Sequence, residues 1–218
     1  MKFTLPIAIG SLLVCASPSV AQESQAGGSR PQPVGNVGAW YPVPRYAAAM
    51  KLTGRNVFVV QVNASGEPTG CEVVEGSGEE FLDRSACHYS MENGKFEPAR
   101  DETGRAVEGN WRGAITWSDP YPYARDPIPA NDTGEWMRAW NWPLGAQWFD
   151  INRSMRMGVF VNADGSPSDC IILETSNYRA WDEAMCNGIL ENARYVAATN
   201  AEGEHVPGWV RVQYIFPE

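Results

Sequence analysis

Residues 57–117 align with residues 156–216 at a constant offset of 99, without a gap, and 18 of the 61 pairs are identical. The identities fall on residues with structural meaning: Asn63/Asn162, Gly66/Gly165, Pro68/Pro167, Cys71/Cys170, Asp83/Asp182, Cys87/Cys186, Gly104/Gly203, Val107/Val206, Gly109/Gly208 and Arg112/Arg211. Chance does not keep two cysteines and several turn residues in register. A chain of 218 residues could be one domain or two by length alone, and the duplication decides for two.

Both copies show the same order of patterns. Val57–Val62 is apolar and β-branched, Asn63-Ala-Ser-Gly66 reads as a turn, and residues 69–75 read as a returning strand, which together predict a β-hairpin. Ser77-Gly-Glu-Glu80 has the capping-box form and predicts a helix start, with Leu82, Ala86 and Tyr89 on one face. A turn at residues 101–104 precedes a last strand, 107–117, with Trp111, Ile115 and Trp117 on one face. The second copy repeats it with Val210, Val212, Tyr214 and Phe216. The expected fold is α+β: two tandem β-β-α-β modules, each a three-stranded antiparallel sheet with a helix on one face.

The flanks divide the rest. Residues 1–21 read as a signal peptide, with an apolar run from Phe3 to Cys15 and small residues at Ser19 and Ala21 before a cleavage site. Cys15 leaves acylation as the lesser alternative, since Val14 is a poor residue before a lipidated cysteine. Residues 22–38 read as a disordered leader, 39–117 as module 1, 118–134 as a stiff Pro-rich linker and 135–218 as module 2. A helix is expected near Tyr46–Leu52, and Trp136, Trp140, Trp142, Trp148 and Phe149 are expected to build the second module's core and its contact with the first. No segment after residue 21 is apolar enough to anchor in a membrane.

Four cysteines remain after the expected cleavage, which allows three pairings. Cys71 and Cys87 are 16 apart, as are Cys170 and Cys186, so repeat symmetry favours one disulfide within each copy. Each would close a loop worth about 3 kcal/mol. The same cysteines make a poor metal site, and neither a metal nor a cofactor is expected. The formal charge of −9 argues against nucleic acid as a partner.

Candidates for catalysis are few. His88 is Asn187 in the second copy and His205 is Ala106 in the first, so neither keeps its chemistry. Ser77 and Ser176 lie in no nucleophile elbow. Asp83/Asp182 is the one helix carboxylate near the start kept in both, able to bond its own helix terminus or Arg112/Arg211. Acid/base work needs a second group, and the chain is read as no enzyme.

Tyr41-Pro42, the Ala-rich helix, Val57–Gly66, Glu72–Gly78, Leu82-Asp83, Phe96-Glu-Pro-Ala-Arg100, Gly104 and Val107 together resemble the C-terminal domain of TonB, a periplasmic energy transducer. Residues 159–165, Asp182 and 203–216 resemble it too, with Phe-x-Pro-Ala-Arg changed to Tyr195-Val-Ala-Ala-Thr199. The resemblance implies a periplasmic protein that binds a protein or peptide, such as an outer-membrane receptor segment, by strand addition at a sheet edge. It implies 107–117 and 206–216 as edge strands, with Asn110, Arg112, Thr116, Trp209, Arg211 and Gln213 pointing outward. The competing expectation is a structural envelope protein whose two modules pack together and bind no peptide.

Overall fold

The computed structural model describes residues 28–134, 136 and 154–215. The first unit runs β1 (Gln32–Pro33), a 3-10 turn (Val37–Trp40), α1 (Arg45–Met50), β2 (Gly54–Val62), β3 (Pro68–Glu75), α2 (Glu80–Asn93), β4 (Phe96–Glu97), β5 (Ala99–Arg100), β6 (Ala106–Val107) and β7 (Gly109–Trp117). The second runs β8 (Ile128–Pro129), β9 (Ser154–Val161), β10 (Pro167–Glu174), α3 (Arg179–Asn192), β11 (Tyr195–Val196), β12 (Ala198–Thr199), β13 (His205–Val206) and β14 (Gly208–Ile215). The main sheets are antiparallel and ordered β3-β2-β7 and β10-β9-β14. This is the expected α+β pair of β-β-α-β units.

Period-two alternation builds each core. Asn56, Phe58, Val60 and Val62 of β2 are buried on one face, against Leu82 and Ala86 of α2. Trp111, Ile115 and Trp117 of β7 join the same cluster. In the second unit Met155, Met157, Val159 and Val161 meet Trp181, Met185 and Ile189. Gly66 turns the hairpin at φ +85, and a side chain there would strike the Phe96 carbonyl. Disulfides join strand to helix in the pairing that repeat symmetry favours, Cys71 to Cys87 and Cys170 to Cys186, with Cα separations of 5.4 and 5.5 Å.

Three readings need correction. The helices do not start with a capping box: the N-cap positions are Glu79 and Tyr178, and neither side chain caps. The carboxylate one turn in takes over. Asp83 accepts from the Ser77 N–H at 2.8 Å and from Asn56 Nδ2 at 3.1 Å, while Asp182 accepts from the Ser176 N–H at 2.9 Å. A negative group in the first turn also suits the helix dipole. Asp83 therefore serves the helix start, and Arg112 turns instead to Glu75 at 2.8 Å.

Second, residues 28–38 are ordered. Ser29 bridges Arg100, β1 pairs with β4, Pro31 is fully buried and Trp40 packs against Phe96 at 5.4 Å. Polar composition misleads here because the arm is held by backbone pairing and two apolar anchors.

Third, the stretch 118–134 is the same arm of the second unit. Arg125 bridges Thr199, β8 pairs with β11, and Trp136 packs against Tyr195 at 5.3 Å. Pro31-Gln-Pro33 and Pro127-Ile-Pro129, Gly38 and Gly134, and Trp40 and Trp136 correspond at an offset of 96, so the repeat begins before residue 57. The remaining tryptophans, 140, 142 and 148, and the signal segment lie outside the described residues.

The two copies differ on the sheet face turned away from the helix. In the second unit Gly158, Phe160, Ile171, Leu173 and Trp209 occupy it, and α1 of the first unit lies on it through Ala48 and Ala49. The first unit has Val59, Gln61, Glu72, Val74 and Asn110 at the matching positions. Three of those five are polar, so that face needs no cover. Tyr121 extends the contact, its ring 5.0 Å from Phe160, and Phe160 lies 5.3 Å from Trp209. Arg45 pairs with Asp169. Lys51 bonds Asp126 at 2.9 Å and sits 4.2 Å over the Tyr123 ring. The arm and α1 thus lock the units face to helix.

Candidate functional site

In the first unit β2 is the central strand, so among the described residues β7 has one strand neighbour and is a sheet edge. The backbone groups on its other side are what an added strand would pair with. Beside this edge lies a cleft of about 400 Å³. One wall is Val37, Gly38 and Tyr41 from the arm, and the other is the run 111–116 of β7.

The cleft is held rigid from beneath. Trp111 packs against Trp40, Phe58 and Phe96, with ring centroids 5.3 to 6.3 Å apart. Its ring lies over Gly113, where a Cβ would come within 2.6 Å of it. Tyr41 and Ser90 are hydrogen bonded at 2.9 Å, and Ser90 commits its one proton to the Ala86 carbonyl at 2.8 Å, so Tyr41 donates. Burial, only partly offset by that bond, pushes the Tyr41 hydroxyl up from its ordinary pKa and keeps it a neutral donor. The wall opposite owes its shape to Asn36, whose side chain accepts from the Gly38 N–H at 3.1 Å. The same turn recurs at Asp132 and Gly134, at 2.8 Å.

Asn110, Arg112 and Thr116 are exposed and lie on one face of β7, away from the helix. They share that face with Val59 and Gln61 of β2, and Arg112 reaches over to Glu75. In the second unit Arg211 and Gln213 are exposed, whereas Trp209 is only 5% exposed. Trp209 does point away from α3, but α1 covers it. Its carbonyl accepts from Tyr123 Oη at 2.5 Å, so the arm occupies a backbone acceptor of β14. A second cleft, about 390 Å³, lies between Thr133 and Gly134 of the second arm and residues 212–214 of β14.

The other candidates do not assemble a reacting group. Burial raises the Asp83 pKa, but the bonds from Ser77 and Asn56 outweigh it and hold the carboxylate below its usual range. Bonded to Ser77 and Asn56, it acts as a brace. His88 is exposed and 3.2 Å from Glu92, and His205 is exposed. Among the described residues no three His, Cys, Asp or Glu side chains are placed to hold a metal ion, and no helix is long and apolar enough to cross a membrane.

The arm's part in the cleft was missed by the strand-centred sequence reading because the arm sits at a different repeat offset. The signal was present: two Pro-x-Pro runs, each followed by an Asn or Asp two residues before a glycine and then by a tryptophan.

No curated protein and no solved structure matches the chain. The family model for the C-terminal domain of the Gram-negative bacterial TonB protein matches residues 42–118. That span begins beside the cleft's Tyr41 and ends one residue after β7. Over residues 42–118, its first unit, the chain therefore carries a domain that matches the TonB C-terminal family.

Proposed function

We propose that the protein is a non-catalytic, periplasmic binding protein that captures an extended segment of a partner protein by strand addition at β7. An outer-membrane receptor segment is the kind of partner the family suggests, in a role linked to envelope transport. The family is one of envelope proteins that work through protein interactions, and two disulfides fit an oxidising, extracytoplasmic setting. The observation that carries the proposal is the edge strand β7 with a preformed cleft along it. No cofactor enters this reading.

A structural envelope role without peptide binding is favoured by one observation, the apolar packing of α1 on the second unit. Among the described residues that packing does not involve β7, so it does not remove the edge on which binding depends. Partner capture from a periplasmic extract, followed by hydrogen exchange on the complex, separates the two. Slowed exchange in 109–117 supports strand addition; a bound partner with both β7 and β14 unprotected overturns it.

A further inference from the structure

We infer, building on that reading, that the β7 site selects an extended peptide with a bulky apolar side chain facing the arm and an acidic side chain facing Arg112. A strand added to β7 must alternate its side chains between the two faces of the sheet. On the helix side they enter the cleft between Val37, Gly38 and Tyr41 and the half-buried Trp111 and Ile115, which suits a large aliphatic or aromatic group. On the other side they lie next to exposed Asn110, Arg112 and Thr116, within cross-strand reach.

Arg112 is the only charged residue of β7, and its counterpart Arg211 is the only charged residue of β14. The copies keep this arginine and also the glutamate Glu75/Glu174, but they do not pair the two in the same way. Glu75 binds Arg112 in the first copy, but Glu174 in the second is bonded by Arg156, which the first copy replaces with Val57. A carboxylate on the incoming strand is the complementary ligand for a cation kept at one register position of each edge.

Gly38 supplies the space. A Cβ there would meet only Asn36 Oδ1, at 3.4 Å, so the fold tolerates a side chain while the cleft that Gly38 lines does not stay empty.

The test uses the intact, disulfide-bonded protein and ten-residue synthetic peptides alternating Leu and Thr, with one central Thr replaced by Asp, Asn or Lys. The Asp peptide should bind about fivefold or more tighter than the Lys peptide, and R112E should reverse that order. Replacing the central Leu residues by Ser should weaken binding about tenfold or more. Gly38→Leu should abolish binding with an unchanged melting temperature. Equal binding of Asp and Lys peptides with β7 protected from exchange overturns this selectivity while leaving strand addition standing. A panel in which no peptide protects β7 overturns the selectivity as well, and strand addition is then judged by the captured partner alone.

Discussion

A methyl group placed on Gly158 would come within 2.8 Å of the Ala49 Cβ, so α1 of the first unit rests directly on the central strand of the second. Both residues are small because two backbones meet there. The first copy carries Val59 at the position of Gly158, on a face against which no helix docks among the described residues. Gly158→Val should therefore force α1 off the sheet and cost about 1–3 kcal/mol. Limited proteolysis should then cut within 118–127, a stretch that should resist cleavage in the native protein, while the two cores remain folded. Unchanged resistance would contradict the docking.

Asp83→Ala removes the acceptor for the Ser77 N–H and for Asn56, whose amide is fully buried. The expected cost at neutral pH is about 1–2 kcal/mol, measured by urea unfolding. The pH dependence has a definite sign. The folded pKa lies below the unfolded value, so this stability is present above the unfolded pKa of about 3.9 and disappears as pH falls through the lower folded one. Native protein and variant should thus converge in acid. A gap that persists well below that range would mean Asp83 acts through packing and not through its charge.

Replacing Cys71 and Cys87 together by Ser should lower stability by about 3 kcal/mol. The same holds for Cys170 and Cys186. Peptide mapping without reductant should recover only the two links within copies, and a link from Cys71 to either cysteine of the second unit would refute the pairing.

Trp40→Ala leaves a hole between Phe96 and Trp111 and removes the anchor of the arm. A loss of about 3–5 kcal/mol is expected. Because Trp111 forms the floor of the cleft, partner binding should weaken even at temperatures where the variant is fully folded. Retained affinity would show that the arm does not shape the site.

Much of this architecture is local and therefore written in the chain. Alternation in Val57–Val62, the Asn63–Gly66 turn and the helical spacing of Leu82 and Ala86 need only neighbours a few residues away. The cysteine spacing, read twice, was enough to pair the disulfides. The capping form Ser77-x-x-Glu80 misled for an equally physical reason: Asp83 offers the Ser77 N–H a charged acceptor, and the helix begins three residues beyond Ser77.

What the sequence determined by itself was the pair of units, their strand and helix order and their covalent links, because each depends on periodicity or on a repeat that stays in register. Only the tertiary structure decided that the polar arms are ordered, that α1 covers Trp209, and that Val37 and Gly38 wall a cleft beside Arg112. Those outcomes depend on backbone pairing and on apolar surface meeting across distant parts of the chain, and neither has a local period. The exchange of Gln61, Glu72 and Asn110 for Phe160, Ile171 and Trp209 is the trace this docking left in the sequence, and it is readable once the sheet face they share is known.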